Sequence, residues 1–490
     1  MSADLQLFLI RLIPLVFVFC FGACIGSLMN VLVYRLPLGK GVVTEPSHCP
    51  KCNTKLTWRE NIPIFGWLLL RGKCRFCKVK ISPQYPLVEL AVAVMFVLLW
   101  LQLYWIPGGS RVMGVDVTGF SPEWARSGWE MTWPIYAVVA LLFSGLLAAT
   151  IIDARTFTIP LQIPWACTVI GVVVHTAWAA VVRAQWGNLP ATAPGSHWAI
   201  STPTDWWYPE SLLGVPETVS VAGGGWWWWI GVALGGTAGL GLSCLMLKLG
   251  WIRRSMEDYE QWEDEELKRQ AAVAADPNAV KDPNLVPLDP ATGQPADPTQ
   301  LWTLYPRARR EMIKELAFLG PPILLAIGLG FVLFRLNVDL ATPSTQAIQE
   351  GGQVVGTIIQ TKSVPPLWLF VLAASLLGYL LVGGLLWFIR IAGTLGFGKE
   401  AMGMGDVHLM AAVGACLGWT DGALAFFVSA PVALIGWVIG WVIARMGGSN
   451  KGTTLPFGPW LSIATVLVFV LKPVIEWGLS ALLHNPVNLP

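Results

Sequence analysis

Ten apolar runs, each near the roughly 20 residues that cross a bilayer as a helix, alternate with polar loops along this chain. They fall near 5–33, 85–106, 134–152, 159–182, 226–248, 316–336, 366–391, 407–424, 425–446 and 456–474. The eighth is short and contains His408 and several glycines. The first, Leu5 to Val33, is too long for the core of a cleaved signal and lacks a basic start, so it reads as the first transmembrane helix. The intervals are a Cys-rich loop (34–84), a Trp/Pro/Gly loop (107–133), a further loop (183–225), a polar insert (249–315) and a Gln/Thr/Gly-rich loop (337–365). The pattern predicts an all-α polytopic integral membrane protein with about ten transmembrane helices. No internal repeat is evident.

Composition supports that reading. The chain is 54% hydrophobic and 13% charged, where a soluble domain carries about 25% charged residues. Many of its 27 Trp lie near the ends of apolar runs, among them Trp100, Trp105, Trp133, Trp206, Trp207 and Trp226 to Trp229. Amphipathic rings at headgroup depth anchor a helix, and that role is expected for them. The partner this composition requires is the lipid bilayer. A net charge of +2 supplies no basis for a nucleic-acid partner, and none is expected.

Basic residues orient the chain. Loop 34–84 holds ten Lys and Arg against Glu45 and Glu60, which predicts a cytoplasmic position. Loops 107–133 and 183–225 carry few and should face outward. Counting crossings then places Asp153, at the end of the third run, on the cytoplasmic side. Four more crossings return Asp406 to that same side, with Arg390, Lys399, Arg445 and Lys451. The insert 249–315 opens with an acidic helical patch, Glu257 to Glu266, and continues Asp/Pro/Ala-rich to Gln300. Such composition buries no core and predicts a solvated tether.

Two groups of residues carry chemistry. Cys49-x-x-Cys52 and Cys74-x-x-Cys77 are separated by 21 residues, the spacing of a four-thiolate structural zinc site. Two disulfides are the alternative, and a reducing cytoplasm disfavours them. His48 reads as a plain loop histidine. Cys20, Cys24, Cys167, Cys244 and Cys416 sit in apolar segments as small hydrophobes. The second group is the pair Asp153 and Asp406. Carboxylates at a membrane boundary are costly unless they serve a cavity, a partner or a reaction. Two that share a site ionise one at a time, so one acts as base and the other as acid. Taken singly, each reads as a helix-end aspartate, capping or paired with Arg155 or Lys399. The context Gly403-Met404-Gly405-Asp406 and the shared face favour a catalytic pair. His408 is a candidate modulator of Asp406. Glu89 reads as a substrate contact or a partner for a basic loop residue. Leu455-Pro456-Phe457-Gly458-Pro459 reads as a helix start and as a candidate lining of the active cavity.

These residues resemble the bacterial type IV prepilin peptidases, the leader peptidases of the Gly-x-Gly-Asp aspartic class. The matching segments are Gly26 to Val31, Tyr34 to Pro37, Pro46 to Cys52, Trp58 to Pro63, Arg71 to Cys77 and Ile81 to Glu89, then Asp153, Gly398 to Asp406 and Leu455 to Pro459. The resemblance implies an enzyme of the bacterial inner membrane that cuts the leader from type IV prepilins or type II secretion pseudopilins at the cytoplasmic face. It implies methylation of the new N-terminus from S-adenosylmethionine, with Asp153 and Asp406 catalytic and Cys49, Cys52, Cys74 and Cys77 binding structural zinc. This chain departs from the family in having His408 where Lys is usual, and Gln162 where an aspartate is frequent. Residues 183–365 are a surplus over the usual family length, with two extra helices.

The domains expected on this basis are 1–106, helices and zinc loop associated with methylation; 134–182, the first catalytic helix pair; 183–365, the insertion; and 366–474, the C-terminal catalytic helices. Three other readings compete: a preflagellin-type peptidase that does not methylate, a non-catalytic assembly factor docking through its zinc loop, and a transporter using the aspartates as proton relays.

Overall fold

The structure, a computed structural model, describes residues 3–42, 46–49, 51–105, 111–112, 115–116, 120, 122, 125, 128–186, 219–222, 224–275, 304–337, 346–350, 353–360, 365–446 and 456–484. Most of the loop 183–225, the centre of the insert (276–303), Pro50 and Leu455 lie outside them.

The helices are α1 (Ala3–Arg35), α2 (Phe65–Leu69), α3 (Gln84–Trp100), α4 (Trp129–Thr156), α5 (Gln162–Trp186), α6 (Gly224–Lys248), α7 (Tyr259–Ala275), α8 (Ala308–Asn337), α9 (Leu367–Phe397), α10 (Met404–Leu417), α11 (Trp419–Met446) and α12 (Gly458–Leu483). Every apolar run is helical among the described residues. Nine helices there are long and apolar enough to cross a membrane, and the chain is a multi-pass membrane protein. The remaining run forms α10, whose 14 residues are too few to span the hydrocarbon. From Val407 to Leu417 only His408 escapes full burial. Gly418 adopts φ 97°, where side chains are disfavoured, and divides α10 from α11. The apolar pattern continues through that glycine, which is why the sequence places the boundary near 424.

By contact density the chain forms two compact units: Met1–Ala199 with Leu424–Ala433 and Pro456–Pro490, and Ile200–Ala423 with Leu434–Leu455. In the first, α4 packs against α1, α3, α5 and α12 and buries Leu142, Phe143, Leu146 and Ile152. Phe143 meets Phe469 of α12 edge-on at 5.5 Å. Trp100 packs against Tyr104, Trp129 and Tyr136, so this ring serves the protein core besides any anchoring. The Arg155 guanidinium donates to Gln84 Oε1. That bond sets the Asp153 end of α4 beside the point where the Cys-rich loop re-enters the helices.

In the second unit α6 lies along α8 at unusually close range. Gly231, Gly235 and Gly239 are spaced by four and face Gly330, Leu325 and Pro322; a Cβ at Gly235 would lie 2.2 Å from Leu325 O. Lipid tails are as apolar as leucine, so membrane helices associate through such close backbone approach. α9 meets α10 in the same way at Gly378 and Gly414. A three-stranded sheet joins this unit, in the order β3 (Val219–Ala222), β5 (Gln353–Gln360), β4 (Gln346–Glu350); two-residue strands β1 (Arg111–Val112) and β2 (Val115–Asp116) pair in the first unit. Thus 346–360, read from sequence as loop, is a hairpin, and β3 adds parallel to it. β3 precedes α6, and the hairpin follows α8. Their pairing puts both connections at one end of the α6–α8 pair, as two crossings require.

Candidate active site and metal centre

The Cys-rich loop contains two turns that repeat each other bond for bond. Cys49 N–H donates to Thr54 O and Asn53 N–H to Cys49 O; Cys74 N–H donates to Val79 O and Lys78 N–H to Cys74 O. Asn53 and Lys78 both take φ 57°, and bridges His48–Lys55 and Lys73–Lys80 close the two turns. This repetition brings the four sulfurs within 4.8 Å of one another. Cys49 Sγ lies 3.8 Å from Cys77 Sγ, and Cys52 Sγ lies 4.0 Å from Cys74 Sγ. A tetrahedral ion with metal–sulfur bonds of about 2.3 Å spaces its sulfurs by about 3.8 Å, so the donor set fits a metal ion. A disulfide needs about 2.05 Å, and all four thiols are free.

The electrostatics of the cluster agree. Hydrogen bonding with Thr54 pulls the Cys52 thiol down to about 6, and the Cys77 and Phe76 N–H groups lower Cys74. At Cys77 the Val79 N–H acts downward, but burial and the three neighbouring sulfurs outweigh it and push the thiol up to about 11. Several thiolates at this spacing repel one another, and a bound cation removes that cost. His48 Nδ1 lies 3.1 Å from Pro46 O, as expected of a loop histidine.

Two side chains fasten the loop to the helices. Arg35, at the end of α1, donates to the carbonyls of Gly41, Val42 and Pro46. Glu89 of α3 is buried, accepts the Ile64 N–H at 2.6 Å and also bonds Ser27 and Asn30 of α1, so it pairs with loop backbone and polar side chains and with no basic residue among the described ones. Ile64 itself has φ 63°, an uncommon conformation for a β-branched residue.

Asp153 lies in the last turn of α4 and is 5% exposed. Its Oδ2 accepts the Gly458 N–H at 3.0 Å, from the first turn of α12. Gly458 lets the backbone approach closely there, because a Cβ would lie 2.6 Å from that oxygen and displace the carboxylate. The Pro-Phe-Gly-Pro segment therefore does line Asp153. Among the described residues no cation pairs with the carboxylate, and the neighbouring Arg155 turns to Gln84. The ion pair with Arg155 is not formed.

Asp406 lies in the first turn of α10, whose N-cap is Gly403. Orphan N–H groups and the helix dipole make that turn a favourable place for a carboxylate. Tyr379 OH and His408 Nδ1 lie 3.2 Å apart, which ties the start of α10 to α9. The preceding strand of chain is held by Arg390, which reaches Glu315, Glu400 and the Met402 carbonyl. From sequence Arg390 counts merely as one of the basic residues of its face, yet it is 2% exposed. The signal available was a guanidinium within an apolar run.

Residues 20–103 match the profile of the bacterial peptidase A24 N-terminal domain, and residues 352–449 match that of the type IV leader peptidase family. Over these two regions the chain is similar to the type IV leader peptidase family. Similar curated proteins include a prepilin leader peptidase/N-methyltransferase of Myxococcus xanthus, 49% identical over 81 residues, covering 16% of this chain and 24% of that protein. One of the same description from Klebsiella pneumoniae is 44% identical over 88 residues, 17% of this chain and 39% of the relative. A third, from Stutzerimonas stutzeri, is 29% identical over 202 residues, 36% and 61% of the two chains. The chain thus spans less than half the length of the first relatives. No solved structure matches it. The leader-peptidase profiles include the four cysteines, Glu89 and Asp406, whereas Asp153, Gly458 and all of α8 fall outside both.

Proposed function

We propose that this chain is an aspartic endopeptidase that removes the leader from type IV prepilins or type II secretion pseudopilins at the cytoplasmic face of the bacterial inner membrane, and then N-methylates the new N-terminus. The observation that carries this is Asp153: a buried carboxylate at a membrane boundary, held by one backbone N–H and paired with no cation among the described residues. Asp406, in the Gly-x-Gly-Asp turn of the matched family region, supplies the second carboxylate. Four spans separate the two, which supports a common face.

In the reaction the ionised aspartate takes a proton from water as the water oxygen attacks the scissile carbonyl carbon. The protonated aspartate donates to the developing oxyanion, and a proton reaches the leaving nitrogen as the C–N bond breaks. Cys49, Cys52, Cys74 and Cys77 would hold zinc, a closed four-thiolate site with no position left for substrate. Bound there, zinc supplies the cross-link that closes the loop. The names of the relatives support methylation, for which S-adenosylmethionine would supply the methyl group; no residue is assigned to it.

Co-expression with a prepilin tests the reading. Mass spectrometry should show a leader-sized loss on the pilin that disappears in both Asp153→Asn and Asp406→Asn. A methyl-sized gain on the cut product tests the second activity and separates this enzyme from a preflagellin-type peptidase. Continued cutting by either aspartate variant refutes the pair.

A further inference from the structure

α8 lies outside both family-matched regions, yet its first half grips the chain that leads into the Asp406 turn. Glu315 of α8 is 3% exposed and receives three hydrogen bonds: Trp387 Nε1 at 2.7 Å, Arg390 Nη2 at 3.1 Å and Arg390 Nε at 3.4 Å. Arg390 then reaches forward, from Nη1 to Glu400 Oε1 at 2.5 Å and to the Met402 carbonyl. A second grip lies alongside, where Arg309 donates to Gly396 O at 3.2 Å. The connection from α9 to α10 is six residues, Gly398 to Gly403, and its Ala401 N–H is fixed on Thr394 Oγ1 at 3.1 Å.

The chemistry of the group favours a positioning role over simple adhesion. A guanidinium presents its donors as a rigid planar fork. With one edge fixed by Glu315, the direction of the other edge is fixed too, and that edge holds the residue before the Gly-Met-Gly-Asp turn. Burial makes the arrangement all-or-none, since an unpaired charge in this setting is far costlier than a paired one. Trp387 removes the remaining freedom of the Glu315 carboxylate, and its ring rests against Phe318 of α8 at 5.6 Å.

We propose that Glu315, Trp387, Arg390 and Glu400 are positioning residues through which the inserted helix α8 sets the entry of α10 and hence the place of the Asp406 carboxylate. The proposal rests on the reading of Asp406 as catalytic, and its test includes a measurement that does not depend on activity. Full-length chain in lipid nanodiscs is compared with Glu315→Gln and Trp387→Phe by hydrogen exchange and by leader-removal kinetics. Trp387→Phe deletes a single hydrogen bond and keeps the ring contact, so it reports even if Glu315→Gln folds poorly. Amide exchange over 399–406 should rise at least tenfold in each variant, with α1, α3 and α4 unchanged. kcat should fall about ten- to a hundredfold, as expected of a catalytic group displaced by a fraction of an ångström to an ångström, with KM within twofold. Arg390→Lys should retain the charge and lose the fork, and so remain as impaired. Unchanged exchange over 399–406 in folded Trp387→Phe overturns the link, and raised exchange with parental kcat overturns the positioning role. If the parent itself cuts nothing, the functional reading fails while exchange still decides the link.

Discussion

Gly378 of α9 and Gly414 of α10 touch backbone to backbone, and alanine at 378 tests what that contact does. A Cβ added at Gly378 would lie 2.0 Å from Gly414 O, whereas ordinary contact begins at 3.4 Å. Since the opposing atom is backbone, no side chain can swing aside, and the helices must part by about 1 Å or more. α10 carries Asp406 in its first turn, so the shift passes to the carboxylate. Overpacking of this kind costs about 1–3 kcal/mol of stability. A misplacement near 1 Å costs on the order of a hundredfold in rate, or about 2.7 kcal/mol at the transition state. The same helix offers the control, because a Cβ at Gly384 meets nothing within 4 Å. There Gly→Ala only removes a helix penalty of about 1 kcal/mol. Thermal unfolding and leader removal are measured for both variants in nanodiscs. Gly384→Ala should melt at or above the parent and cut at the parental rate, while Gly378→Ala melts lower and cuts about a hundredfold more slowly. Equal behaviour of the two variants would refute the reasoning.

Two further predictions concern the loop and the insert. Elemental analysis of the purified chain should find one zinc per chain, lost in Cys49→Ser and in Cys74→Ser. Leader removal should survive that loss better than methylation does, because a closed four-thiolate site leaves no position for substrate. Asp258 accepts from the Tyr305 hydroxyl at 2.7 Å and from Arg307, and these bonds, that of Tyr305 foremost, hold its carboxyl below the usual range. A lowered folded value means the contribution is complete above the unfolded value of about 3.9 and is lost as pH falls below it. Proteolysis within α7 should therefore accelerate as pH drops from about 5 to 3, and Asp258→Asn should flatten that dependence.

Much of this architecture was legible because a bilayer imposes length and polarity on each helix. The runs ending at Asp153 and starting at Gly458 follow that rule, and the Cys49–Cys52 and Cys74–Cys77 spacing carries its own geometry. Length alone misplaces α10, since Gly418 breaks an apolar pattern without interrupting it. Polar side chains hid the β4–β5 hairpin in the same way, because Gln and Thr between Gln346 and Gln360 resemble a loop. The bond from Gly458 to Asp153 and the link from Glu315 to Arg390 join residues 305 and 75 positions apart. No local periodicity encodes such contacts; they follow from how the helices pack. A glycine between two prolines at 456–459 was the one local sign of close approach to Asp153.

The central claim is that two carboxylates, Asp153 and Asp406, cut a prepilin leader. It is tested most directly by incubating purified, nanodisc-embedded chain with a prepilin and reading the product mass over time. The parent should release a single leader-sized fragment, and Asp153→Asn and Asp406→Asn, folded as judged by unchanged melting, should release none. A parental product from either variant, or from both, would contradict the account.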